Sequence, residues 1–226
     1  MIVLAAHGTR DPAGARVIEA LAARVQAESS VPVQVAYADV RQPDVTTVLN
    51  SLRGRPAVVI PAFLAAGYHV RTDIPAQIEA STHREAILAE PFGPASELID
   101  VMCDRLEWAG HRRGDALVLA AAGSSDPRAL AEVRRAAEAL SSRLATPVRV
   151  GYAATAHPSI ADAVTHARGR GRRVAIASWL LAPGLFQRIL TRSAADVIAD
   201  PLGAHPAVAD LVLRRYHQAL RQLVAA

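Results

Sequence analysis

Short apolar runs alternate along the chain with stretches whose apolar residues recur every three to four positions. "IVLAA" (2–6) is the first run, and Val17, Leu21 and Val25 then repeat at four-residue spacing along one face of a helix. "VPVQVAYA" (31–38) is valine-rich and alternating, as a strand is, and Val45, Val48, Leu49 and Leu52 mark a second helix. "AVVIPAFL" (57–64) has the length and branching of a buried strand. A third helix is expected to start near Asp73, which is placed to cap it, with Pro75 in its first turn. "AILAE" (86–90) reads as a fourth strand and 95–108 as a last helix. Strand and helix alternating in this way predict an α/β fold with a parallel sheet covered on both faces, and ligands at the carboxyl ends of its strands.

The pattern occurs twice. Shifted by 115 positions, "LAAHGTRDP" (4–12) falls on "LAAAGSSDP" (119–127), and "PVQVAYADVRQP" (32–43) falls on "PVRVGYAATAHP" (147–158). After a further two-residue shift "PAFLAAGYH" (61–69) meets "SWLLAPGLF" (178–186), and "EPFGPASELID" (90–100) resembles "DPLGAHPAVAD" (200–210). Order is kept throughout, as a tandem duplication of a unit of about 110 residues requires. The polar, glycine-flanked "WAGHRRGD" (108–115) is the expected joint, giving halves of 1–110 and 115–226. The two parallel-sheet halves are expected to pack about a pseudo-two-fold axis with a cleft between them.

Composition narrows the function. Half of the chain is apolar, enough for a sizeable core, yet no run reaches the ~18 apolar residues of a membrane span. The N-terminus lacks a basic region and a cleavage site, so it reads as a strand and the expected location is cytoplasmic. One cysteine, Cys103, excludes an intramolecular disulfide and any cluster ligated by cysteines of one chain. All 25 basic residues are arginine and the net charge is +4. Arginine forks favour carboxylates and phosphates, so a polyanionic ligand fits; nucleic acid fits poorly, because the arginines are scattered without an aromatic platform.

Three polar side chains fall at strand ends. His7 follows the first strand, Asp39 ends the second, and His69 follows the third, with Gly8 and Gly67 beside the histidines. In a parallel sheet these loops share one edge, where two imidazoles and a carboxylate make an open site for a divalent transition metal. The repeat is an internal control: His7, Asp39 and His69 align with Ala122, Ala154 and Phe186, while the glycines and the Asp-Pro pairs persist. Structural caps or fillers would be needed in both copies, and loss as a set marks one site present once. Arg10, Arg41 and Arg71 lie close to the three candidates and can hold ligand carboxylates; Arg10 and Arg41 become Ser125 and Ala156. The other histidines, Cys103, the "DP" pairs and "GRGRR" (169–173) read as structural or solvated.

"AAHGTRDP", "PAFLAAGYHVRTDIP" and "DPLGAHP" together resemble the sirohydrochlorin chelatase family of the CbiX/SirB type, in its long duplicated form. The resemblance implies two tandem flavodoxin-like halves with a tetrapyrrole in the cleft. It implies ATP-independent insertion of Fe2+ or Co2+ into sirohydrochlorin, towards siroheme or cobalamin, with no permanently bound cofactor. The family's metal-site histidines carry over to His7 and His69. Its acidic residue, often glutamate, falls at Asp39, one methylene shorter, leaving open direct ligation, contact through water, or proton acceptance. An arginine-lined cleft suits the octacarboxylate substrate, and since duplication supplies both walls a monomer is expected. Iron is favoured over cobalt because siroheme is the more widespread product. A non-catalytic metal or tetrapyrrole carrier is a competing class. A histidine phosphatase fits less well, because Ala6 stands where the phosphoryl-binding arginine should be.

Overall fold

The computed structural model describes residues 1–169 and 171–225; Arg170, within the "GRGRR" turn, lies outside them. The element order runs β1 (Ile2–Ala6), α1 (Pro12–Glu28), β2 (Val33–Tyr37), α2 (Val45–Ser51), β3 (Ala57–Pro61), a π-helical turn (His69–Asp73), α3 (Ile74–Ala80), β4 (Ala86–Leu88) and α4 (Ser96–Trp108). It continues with β5 (Ala116–Ala121), α5 (Pro127–Leu144), β6 (Val148–Tyr152), α6 (Ile160–Arg168), β7 (Val174–Trp179), α7 (Leu185–Leu190), β8 (Val197–Ile198) and α8 (Pro206–Ala225).

Local chemistry accounts for most element ends. Asp11 and Asp126 accept hydrogen bonds from the amides of Ala13 and Arg128, capping α1 and α5, whose first residues are prolines. Thus the "DP" pairs are helix-start devices in both copies. Helix α1 buries Ile18, Leu21 and Val25, while Val17 sits half-buried at the edge of that face. Asp44 caps α2 by accepting from Thr47, and those hydrogen bonds hold its carboxyl below the ordinary carboxylate range. Strands β1, β3, β5 and β7 are buried along their whole length, as strands covered on both faces must be.

The strands form two parallel four-stranded sheets of the same order, β2-β1-β3-β4 and β6-β5-β7-β8. In the first, Ala6 lies opposite Tyr37 of β2 and Ala5 opposite Pro61 of β3. Chain order reverses direction between β1 and β3, so the loops after these neighbours flank the switch point where doubly wound sheets bind ligands.

The compact units are not the contiguous halves. One comprises Met1–Gly93 with Ala204–Ala226, the other Pro94–Gly203. Helix α4 packs on α5 and β7, and α8 packs on α1 and β3, so the last helix of each repeat belongs to the unit of the other. "WAGHRRGD" falls between the two repeats of the sequence but does not divide the compact units. It lies inside the second unit, where buried Asp115 accepts from the Arg112 amide and the Arg173 guanidinium. The chain crosses at the repeated "PFGPA" and "PLGAH" segments, both of whose glycines are left-handed (φ 54° at Gly93, 71° at Gly203). Equivalent arginines fasten the exchanged helices: Arg105 of α4 donates to the Leu202 carbonyl (2.8 Å), and Arg215 of α8 donates to the Phe92 carbonyl (3.1 Å).

Removing either guanidinium leaves an interior carbonyl without its charged donor. Arg105→Met and Arg215→Met are each expected to destabilise the unit they fasten by about 1–3 kcal/mol, read from denaturant unfolding. Melts indistinguishable from wild type would show that helix burial alone holds the exchange.

Candidate functional site

The β1 and β2 loops are built by the same contacts in both copies. Beyond the end of β1, the amides of Ala38 and Asp39 donate to the carbonyls of Ala6 (2.8 Å) and His7 (3.0 Å); Ala153 and Ala154 do the same to Ala121 and Ala122 (both 2.9 Å). This close approach requires glycine next. A Cβ on Gly8 (φ 93°) would overlap the Asp39 carbonyl oxygen, and one on Gly123 (φ 99°) would overlap that of Ala154. Val40 and Thr155 both take left-handed backbone (φ 66° and 65°), a conformation β-branched residues rarely adopt. The peptide bonds before Pro43 and Pro158 are both cis. These backbone devices of the loop are duplicated, although His7 and Asp39 are not.

His7 and His69 meet because β1 and β3 are neighbours. Their ring centroids are 4.5 Å apart with an interplanar angle of 79°, and Phe63 stands 6.1 Å from each ring. His7 Nδ1 lies 3.0 Å from the Gly8 carbonyl, which can only accept, so Nδ1 donates, and in the neutral imidazole the lone pair is at Nε2. His69 Nδ1 lies 2.5 Å from Asp73 Oδ2, with the same consequence for its Nε2. Two imidazole rings, whose nitrogens suit a borderline divalent ion, thus meet at the switch point.

Asp39 does not join them. It stands beside His7 through its backbone, but its Oδ1 accepts from the adjacent Val40 amide at 2.7 Å. Among the described residues no three His, Cys, Asp or Glu side chains are gathered closely enough to hold a metal ion. The physical reason is topological: Asp39 follows β2, on the far side of β1 from β3. The arginines surround the same edge. Arg10 is exposed; Arg41 donates to the Thr9 carbonyl (3.2 Å) and lies over the Tyr37 ring; Arg71 donates to the Ala66 carbonyl (2.7 Å). Tyr68, 64% exposed, adds an apolar face beside His69.

Asp73 departs from its expected role. It makes no capping hydrogen bond to α3 and is instead bound to His69. Its spacing of four from His69 was a legible signal, and the second copy has Leu190 at that place. Elsewhere His83 is structural: its Nε2 donates to the Arg55 carbonyl and its Nδ1 accepts from Glu85. Cys103 is half-buried, and burial pushes its thiol up, away from thiolate reactivity.

Comparison with known proteins gives the family. The CbiX family model matches the chain twice, over residues 1–109 and 116–219. The chain belongs to the CbiX family. Among CbiX relatives, a sirohydrochlorin ferrochelatase of Priestia megaterium is 24% identical, covering 93% of this chain and 87% of the relative. A sirohydrochlorin cobaltochelatase of Methanothermobacter thermautotrophicus is 27% identical, covering 48% of this chain and 91% of the relative, so that protein corresponds to about half of this one. The solved structure of a CbiX described as the terminal enzyme of siroheme biosynthesis in denitrifying bacteria superposes with a TM-score of 0.72 at 25% identity, covering 96% of this chain and 98% of that one.

In this CbiX chain the duplicated loop separates scaffold from chemistry. Gly8→Ala and Gly123→Ala are each expected to destabilise their unit by at least about 1–3 kcal/mol in thermal or denaturant melts. Only Gly8→Ala should also displace His7; equal melts to wild type in both would contradict the close approach.

Proposed function

We propose that this protein inserts a divalent metal, Fe2+ in preference to Co2+, into sirohydrochlorin without ATP. The observation that carries this reading is the pair of imidazoles 4.5 Å apart at the switch point, found in one unit only. Metallation requires an ion to shed waters and a macrocycle to lose its pyrrole protons. Neutral His7 and His69 present lone pairs at Nε2, holding the ion through two protein donors and leaving most of its coordination positions for water and the incoming ring nitrogens. Held by so few donors, the ion can be passed on.

In this reading Asp39, exposed next to His7, accepts a proton rather than ligating the ion, a role supported by the absence of a three-ligand cluster among the described residues. Arg10, Arg41 and Arg71 supply cationic groups for the substrate's carboxylates. Iron is favoured because the relative that spans nearly the whole duplicated chain is a ferrochelatase. Cobalt is the second reading, favoured by the half-length cobaltochelatase relative. The enzyme is taken to work in the cytoplasm, with metal and tetrapyrrole as its partners and no resident cofactor.

Anaerobic addition of Fe2+ or Co2+ to sirohydrochlorin, followed by absorbance, tests the activity. Wild type is expected to accelerate metallation, and His7→Ala or His69→Ala to lower the rate about 100-fold or more. Binding of sirohydrochlorin without acceleration would make the protein a carrier. Light scattering after size exclusion is expected to give the mass of one chain; activity confined to a dimer would refute the monomeric reading.

A further inference from the structure

Resting on His69 as a metal ligand, we propose that Asp73 is its positioning residue: a carboxylate that fixes the His69 tautomer and aims Nε2 at the ion. Three observations converge on it. The first is the contact itself, His69 Nδ1 to Asp73 Oδ2 at 2.5 Å, with both side chains about three-quarters buried (27% and 25% exposed). A carboxylate can only accept there, so the proton sits on Nδ1 and Nε2 is the donor atom.

The second is the backbone that brings the two together. Pro75 has no amide to donate, and its ring is incompatible with the carbonyl four residues earlier, that of Arg71. The chain answers with a π turn, in which the Ile74 amide bonds the His69 carbonyl, five residues back. At the equivalent place in the second unit the Thr191 amide bonds the Gln187 carbonyl, four residues back, in an ordinary α turn. The widened turn exists only where the histidine does.

The third is what the second copy lacks. His69, Asp73 and Pro75 align with Phe186, Leu190 and Arg192, whereas Gly67 and Arg71 persist as Gly184 and Arg188. Leu190 is fully buried in the core of its unit, so a carboxylate at this place is not something the fold demands. Asp73 is also free of the duty that would explain it otherwise, since it caps nothing. His7, by contrast, is oriented only by its neighbour's neutral carbonyl. The charge-assisted bond to Asp73 therefore makes His69 the better-oriented of the two imidazoles.

The imidazole tautomers can be read directly. Long-range proton–nitrogen NMR on the 15N-labelled full chain at mildly alkaline pH is expected to show His69 protonated at Nδ1 and bare at Nε2. Asp73→Leu, the residue of the second copy, should release His69 to the Nε2–H tautomer and weaken binding of Co2+ alone by about 10–100-fold. Asp73→Asn, whose Oδ1 still accepts, should retain the Nδ1–H tautomer and bind Co2+ better than Asp73→Leu. His69 protonated at Nε2 in wild type overturns the proposal without any variant, and so does a folded Asp73→Leu that binds Co2+ as wild type does while His69→Ala does not. Unchanged Co2+ binding in His69→Ala would instead sink the metal-site reading and the proposal with it; only that outcome leaves the histidine variant intact.

Discussion

Parallel pairing of β1 with β3, with Ala5 opposite Pro61, is the contact on which the candidate site depends. Because β2 pairs on the other flank of β1, the chain changes direction across the sheet here, and the loops after β1 and β3 emerge together. His7 and His69 are far apart in sequence and adjacent in space for this reason alone. The pairing is itself a product of burial: both strands are wholly apolar and wholly buried, so neither can slip to the sheet edge without exposing its side chains.

The duplicated loop shows how little of that scaffold depends on the polar groups it carries. Gly8 and Gly123, the paired left-handed residues Val40 and Thr155, and the amide–carbonyl bonds beyond β1 and β5 are the same in both units. Asp44 and Ser159 both cap the helix that follows. Alanine replaces histidine and aspartate without disturbing any of this. The π turn behaves differently. It is absent from the second unit together with His69, Asp73 and Pro75, so there the backbone and the side chains changed as one.

The exchanged helices are the larger structural point. Arg105 with the Leu202 carbonyl and Arg215 with the Phe92 carbonyl are equivalent bonds, each fastening the last helix of one repeat into the other unit. A polar, glycine-flanked stretch such as "WAGHRRGD" looks like a joint by composition. It does separate the repeats, but the compact units depend on which sheet the preceding helix packs against, and composition holds no record of that partner.

Periodicity and the internal repeat determined the strands, the α/β class, the duplication and the histidine pair, because burial on both faces leaves continuous apolar runs and because the second copy exposes what the fold does not need. Residue type and spacing were enough to nominate His7 and His69. Only the tertiary structure showed that, among the described residues, no three His, Cys, Asp or Glu side chains gather at this edge, Asp39 following β2 on the other flank of β1 from β3. It also showed Asp73 bound to His69 rather than capping α3, a pairing whose four-residue spacing was legible but whose π turn was not, since no local propensity describes that turn. And it alone assigned α4 and α8 to their units, since helix packing is a contact between surfaces distant in the chain.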